Sequence, residues 1–430
     1  MEHMKEMQRT KEMRHMRAIQ QMRGIRHMHK ILKTMIIAGL TTAGADGVIM
    51  AQKVGGINVA TISPNDAIWS KAKFTPVVLY PQTTIKLNDK KANSLNGANK
   101  GLKAQVGAIY DGSSMAYKII WSDPTNNALT GNVSDVYADG LAMQVPVNFS
   151  NPKKLPYIGM GSDDRAVLIY LNKVIPSHYE PNGNRDVSTQ INHHNTNYFG
   201  EELNKFKAQV EALSSKSYAK SYISEGFRSM TQIKDGSSKF GMNMVYNPST
   251  KAWAGVVAKS LNDGNANFSS AGAIPVSFAV WDGGKLNRGG VKKLSGWTAV
   301  KFVGKSGGDD LVKELTTPST GDAKAGKVAV DAMCGSCHTL NASKSAPAYM
   351  APNLSNIGGY STNAYLAESI KEPSAVIVPG YNRNAHKAMK WYNVDAKTGK
   401  RVSTMPPMMT DDKQIANAVA YLKTLKVGVE

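Results

Sequence analysis

The chain holds two cysteines, three positions apart, with a histidine directly after the second: Cys334-Gly335-Ser336-Cys337-His338. No other feature constrains the fold as tightly. A CxxCH run reads as the covalent attachment site of a c-type heme. Each thiol bonds one vinyl group of the porphyrin, and the adjacent histidine reaches the iron from the same face. A redox dithiol and half of a zinc site are the rival readings. A structural zinc site takes about four ligands, and the sequence offers no further cysteine and no nearby histidine pair. Two cysteines in 430 residues also exclude a multi-disulfide scaffold.

Length sets a prior of two or more domains, and 42% hydrophobic with 7% aromatic content suits several modest cores better than one large one. The formal charge is +20. Residues 1–33 contribute nine Lys/Arg against three Glu, which leaves +14 for the remainder (20 − 6). A nucleic-acid partner would want a basic patch tied to a reading motif. None is found, so no nucleic-acid partner is expected, and the charge fits an acidic partner or simple solubility. No apolar run approaches the ~20 residues of a membrane-spanning helix, so no integral membrane segment is expected in the mature chain.

Residues 1–51 read as a leader. From Met28, the positive start His29, Lys30 and Lys33 precedes an apolar stretch from Met35 to Leu40. Ala43-Gly44-Ala45 or Ile49-Met50-Ala51 then supplies the small-residue cleavage site of a secretory signal peptide. Ahead of it, methionine recurs at positions 1, 4, 7, 13, 16 and 22 among charged residues, as in an amphipathic basic helix or in sequence upstream of a true start at Met28. The expected destination is the periplasm or an equivalent compartment outside the cytoplasm.

Around the CxxCH run, Ala325-Gly326-Lys327 opens a short helix. Pro352-Asn353-Leu354 with Ile357-Gly358 follows the motif, then a helical stretch from Ala364 to Lys371. Thr404-Met405-Pro406-Pro407-Met408 precedes a last helix, capped by Thr410, whose Ile415, Val419 and Leu422 share one face. This resembles a class I cytochrome c over residues 323–430. The resemblance implies an all-α domain with one covalent heme c on Cys334 and Cys337, and iron ligated by His338 and Met405. Met408 and Met409 are close enough to compete. Val330 stands where the family usually has an aromatic residue.

Residues 52–315 carry strand signals: Tyr117, Ile119 and Trp121 alternate with their neighbours, as do Val276, Phe278 and Val280 with Ser277, Ala279 and Trp281. Asp-Gly pairs at 111, 139, 235 and 282 punctuate the strands, and helical periodicity is concentrated at Glu201–Leu213. The pattern argues for a β-sandwich, so the expected class is mainly β plus α, with a β-sandwich domain, a linker at 316–322 and an all-α domain at 323–430.

Three ordered stretches carry a more specific likeness: Asp139–Pro146, Tyr157–Asp163 with the strand Val167–Leu171, and Ile274–Gly283 (IPVSFAVWDG) continuing through Arg288–Lys293 to Ser295-Gly296-Trp297. They resemble the heme b domain of the gamma subunits of ethylbenzene dehydrogenase and its relatives. Those subunits serve type II enzymes of the dimethyl sulfoxide reductase family, including nitrate reductases and nitrite oxidoreductases. The resemblance implies one non-covalent heme b ligated by Met160 and Lys292, with Lys293 as the alternative one residue away. Such a lysine must be neutral, against an ordinary pKa near ~10.4. A bis-histidine site would draw on His178, His193, His194 and His386.

The expected function is an exported diheme electron-transfer subunit. It would relay electrons between the iron–sulfur subunit of a molybdenum oxidoreductase, which also has a molybdenum catalytic subunit, and a soluble carrier such as a cytochrome c. The chain itself has no nucleophile–base pair, so no catalytic residue is expected. The alternatives are a stand-alone heme enzyme with an open iron position, or a ligand-binding β domain beside a single redox-active heme c.

Overall fold

Among the described residues, apolar alternation becomes a series of strands between Val48 and Phe302. The structure, a computed structural model, describes residues 47–128, 137–175, 201, 205, 219–234, 236 and 239–430. Strands β1 (Val48–Lys53), β2 (Phe74–Pro81), β3 (Leu102–Tyr110) and β4 (Ser114–Ser122) are followed by β5 (Gly140–Pro146), β6 (Val167–Lys173), β7 (Lys220–Ser224) and β8 (Thr231–Gln232). Then come β9 (Phe240–Asn247), β10 (Ala252–Ser260), β11 (Ala273–Trp281), β12 (Lys293–Leu294) and β13 (Thr298–Phe302).

They build two faces, β9-β10-β4-β3-β1-β13 and β8-β7-β6-β5-β11-β12. Two strands change face midway. β11 pairs with β13 through Ala273–Val276 and with β5 through Ser277–Trp281. β2 pairs with β3 through Phe74–Leu79 and with β12 at Tyr80 and Pro81. Strands that switch sheets make the corners of such a packing, and here they close β11, β13, β1, β3, β2 and β12 into a barrel with the remaining strands as extensions.

The period of two decides what each side chain meets. Val276, Phe278 and Val280 of β11 join Leu141, Met143 and Val145 of β5 in the core between the faces. Ala279, Trp281 and Ala142 point the other way, into a second core shared with the C-terminal helices. β5 and β11 are consequently buried at every residue, which is why both read as near-continuous apolar runs.

β1 lies parallel to β3 and β13, with Ile49 and Ala51 fully enclosed. The β domain therefore starts at Val48, not at 52. An apolar strand directly behind an apolar leader offers no boundary in composition. The Asp235-Gly236 turn, the Glu201–Leu213 helix and most of the leader fall wholly or partly outside the described residues.

After α1 (Lys90–Gly97) and α2 (Asp309–Thr316), the C-terminal part is helical: α3 (Ala323–Met333), α4 (Ile357–Tyr360), α5 (Asn363–Lys371) and α6 (Asp412–Leu422), with a small hairpin of β14 (Tyr392–Val394) and β15 (Arg401–Ser403). The α6 N-cap is Asp411, not Thr410: its carboxylate accepts the Gln414 N–H at 2.7 Å, the N3 contact that defines a cap. α3 crosses α6 closely. A Cβ on Gly326 would lie 1.8 Å from the Asn417 carbonyl oxygen, and one on Gly358 2.4 Å from that of Leu422.

The helical part is joined to the β domain by specific polar contacts. Arg165 donates a two-pronged pair of hydrogen bonds to Glu368 of α5 at 2.8 and 2.7 Å. The Asp163 N–H donates to the Ile377 carbonyl at 2.9 Å, and the Asn356 amide to that of Pro81 at 3.0 Å. Among the described residues, no helix is long and apolar enough to cross a membrane.

Candidate heme sites

Cys334 follows α3 directly, its N–H bonded back to the Val330 carbonyl at 2.8 Å, and the His338 N–H donates to the Cys334 carbonyl at 2.9 Å. The turn that results aims Cys334, Cys337 and His338 into one cavity of about 690 Å³. The His338 Nδ1 lies 2.7 Å from the Pro352 carbonyl oxygen, so a proton on Nδ1 leaves Nε2 with its lone pair free for a metal. Burial lowers the His338 pKa against the opposing effect of the Pro352 hydrogen bond, which favours the neutral, ligating form. Burial, aided by Cys337, pushes the Cys334 thiol up to about 11. A redox dithiol needs the opposite shift.

Met405 and Met408 both line this cavity, while Met409 is packed in the core. Val330 is fully buried. Apolar walls come from Leu354, Ile357, Leu366 and Val376, with Tyr157 and Thr84 reaching in from the β domain. The residues suit a porphyrin: two free thiols, an oriented imidazole, thioethers and an apolar lining.

The second cavity, about 380 Å³, lies on the outer face of β5, β6 and β11. Ala142 and Gln144, Ile169 and Leu171, and Ala279 and Trp281 supply its floor at the strand period. Met160 and Lys292 both line it. Met160 sits at the tip of a turn with φ 78°, in the left-handed region that is uncommon for a side chain of this size. Lys292 is buried, and burial pushes its pKa down to about 8.

Lys293 faces elsewhere. Neighbouring residues of an extended chain point to opposite sides, and its Nζ meets Glu430 at 3.3 Å, away from this cavity. His386 lines neither cavity, and His178, His193 and His194 lie outside the described residues. Lys173 and Arg228 also line the cavity although no sequence pattern marks them. The Lys173 Nζ stands 4.3 Å over the Trp281 ring and that of Lys292 5.5 Å. Burial takes Lys173 down to about 7, with Lys292 adding to the shift. An apolar slot with two thioethers, Met160 and Met230, two amines whose proton affinity burial lowers, Lys173 and Lys292, and the guanidinium of Arg228 fits an iron porphyrin.

One segment contributes to both cavities. Tyr157 lines the CxxCH cavity, whereas Ile158 and Met160 line the other. The Gly161 N–H closes the turn on the Tyr157 carbonyl at 3.0 Å. Hydroxyls of Tyr157, Thr84 and Tyr381 form a ring with all three contacts at 2.9 Å.

A mainly β domain and a CxxCH helical domain, each with an apolar cavity, together with the two family models they match, mark a heme-based electron-transfer protein. The chain belongs to the ethylbenzene dehydrogenase family, whose model matches residues 66–293, and a cytochrome c model matches residues 323–426. Among curated proteins none matches. Two solved structures of a carbohydrate-binding module of family 9 from Caldicellulosiruptor kristjanssonii align with the chain. The one in complex with cellotriose has 9% identity, 60% of this chain and 95% of that chain covered, and TM-score 0.28. The one with glucose has 10%, 60%, 97% and 0.27. Likeness at that level carries no argument about the sites.

Proposed function

We propose that the protein is an exported diheme electron-transfer subunit with one covalent heme c and one non-covalent heme b. Cys334 and Cys337 hold heme c, with His338 and Met405 as its iron ligands. Met160 and Lys292 hold heme b. Each group supplies a one-electron couple when bound, and His/Met ligation of heme c favours a higher potential than all-nitrogen ligation. The chain's own residues bind the two groups, keep water from them and lower the proton affinity of the Lys292 amine.

The observation that carries the reading is the shared cavity of Met160 and Lys292, two residues far apart in sequence that one apolar slot brings together. The expected role is a relay between the iron–sulfur subunit of a molybdenum oxidoreductase of the nitrite oxidoreductase or nitrate reductase kind and a soluble carrier such as a cytochrome c. Export would follow the signal sequence, with cleavage after Ala45 leaving β1 whole. Affinity purification of the full chain from its host tests the assignment. Co-purification of an iron–sulfur subunit and a molybdenum subunit is expected, and recovery of the chain alone from gently lysed cells would remove the subunit role.

A further inference from the structure

We propose that Tyr157 is the electron bridge between the two cavities, and that the turn Tyr157–Gly161 fixes how well the two iron centres communicate. This rests on the two-heme reading above. Electron tunnelling decays faster across a gap between atoms than along bonds, so a continuous bonded route outweighs one with a through-space jump. Tyr157 and Met160 supply such a route. It runs from the Met160 thioether along its side chain to the backbone and on to Gly161 N–H. From there the hydrogen bond to the Tyr157 carbonyl, at 3.0 Å, shortens the path to the aromatic ring.

The ring is held against its own turn. A Cβ on Gly159 would lie 2.5 Å from Tyr157 Cε1, so glycine lets the ring fold back over the backbone that carries Met160. The hydroxyl ring with Thr84 and Tyr381 fixes its far end. The segment is anchored on both sides: Trp297 Nε1 donates to the Pro156 carbonyl at 2.9 Å, and the Gly226 N–H donates to the Met160 carbonyl at 2.8 Å.

In the step itself, one electron leaves the iron of one heme, which goes from Fe(II) to Fe(III), and the other iron is reduced in exchange. No bond forms or breaks, and Tyr157 keeps its proton throughout. Burial raises the Tyr157 pKa well above its ordinary value, consistent with a phenol that stays neutral. A competing route exists. Phe227 lines the heme b cavity, and its backbone packs against Gly380, next to Tyr381 on the heme c side. That route jumps between non-bonded segments.

The test uses the full matured chain, with laser flash photoreduction reading the two hemes by their separate absorption bands. Tyr157→Leu is expected to slow inter-heme transfer about tenfold after correction for any change in driving force, read from the two midpoint potentials of the same protein. Tyr157→Phe, which keeps the ring, is expected to restore most of the rate. A wild-type rate in a Tyr157→Leu protein that holds both hemes overturns the proposal, and slowing in Phe227→Leu instead would assign the route to the Phe227–Gly380 contact. If Tyr157→Leu does not assemble, Gly159→Ala displaces the ring without removing it, with the same slowing expected and a wild-type rate again contradicting the bridge. A wild-type chain with a single heme sinks the two-heme reading itself, a result distinct from any of these.

Discussion

Tyr157 opens a turn that the Gly161 N–H closes, and Met160 lies within it, yet Tyr157 and Met160 line different cavities. One short segment thus contributes to both candidate heme sites, and the ligand proposed for one site is covalently tied to an aromatic wall of the other. Changes at this turn should report on both sites.

Met160→Leu keeps the apolar volume and removes the thioether. Stability of the heme-free chain should change by less than about 1.5 kcal/mol, as for other volume-conserving swaps. The non-covalent heme should be lost or turn high-spin, while the covalent heme keeps its spectrum. Chemical denaturation of the heme-free chain and absorption spectroscopy of the loaded one separate the two effects.

Lys292 and Lys293 should behave oppositely. Lys292→Ala is expected to abolish low-spin heme b. Lys293→Ala removes the ion pair with the half-exposed Glu430 and the packing of a buried side chain. It should lower stability but leave the heme b spectrum intact. An unchanged spectrum in Lys292→Ala would transfer the ligand role elsewhere, with Lys173 as the next amine in the cavity.

Heme b uptake should depend on pH through Lys292, whose pKa burial depresses to about 8. Between that value and the ordinary one, the unfolded chain carries a proton that the folded chain does not. Stability of the heme-free chain therefore rises with pH across this window, and the full penalty applies below pH 8. Binding needs the neutral amine, so heme b affinity should be flat above about pH 8 and fall about tenfold per unit below it. In Lys292→Met any residual binding should lose this slope. Heme titrations of the heme-free chain from pH 6 to 10 provide the check.

The cytochrome motifs were legible because their chemistry is local: CxxCH spacing, the proline-flanked Met405 and the face of α6 are all set within a few residues. Even there, an adjacent acidic residue displaced the expected cap, because Asp411 and not Thr410 meets the Gln414 N–H. Met160 and Lys292 could be named only through family resemblance, since nothing in the periodicity distinguishes a ligand from a turn methionine or a hairpin lysine. Lys173 and Arg228 carry no motif and become visible only when β6 and the loop after β7 are folded. The Tyr157 wall depends on how the Val376–Tyr381 segment docks on the β domain, a tertiary fact with no local signal. β1 was hidden for a compositional reason, as an apolar strand following an apolar leader.

Gly326 tests the helical part independently of any heme. Gly326→Ala would drive a Cβ into the Asn417 backbone at the α3–α6 crossing, an overpacking defect of about 1–3 kcal/mol. Thermal melts of the full chain should show the loss, and an unchanged midpoint would mean the crossing relaxes freely.

The most direct measurement is a pyridine hemochrome spectrum of the matured full chain before and after acid–acetone extraction. The account predicts two hemes per chain, one extracted and one retained on Cys334 and Cys337. A single heme that stays entirely with the protein would contradict it, leaving the Met160–Lys292 cavity without the cofactor assigned to it.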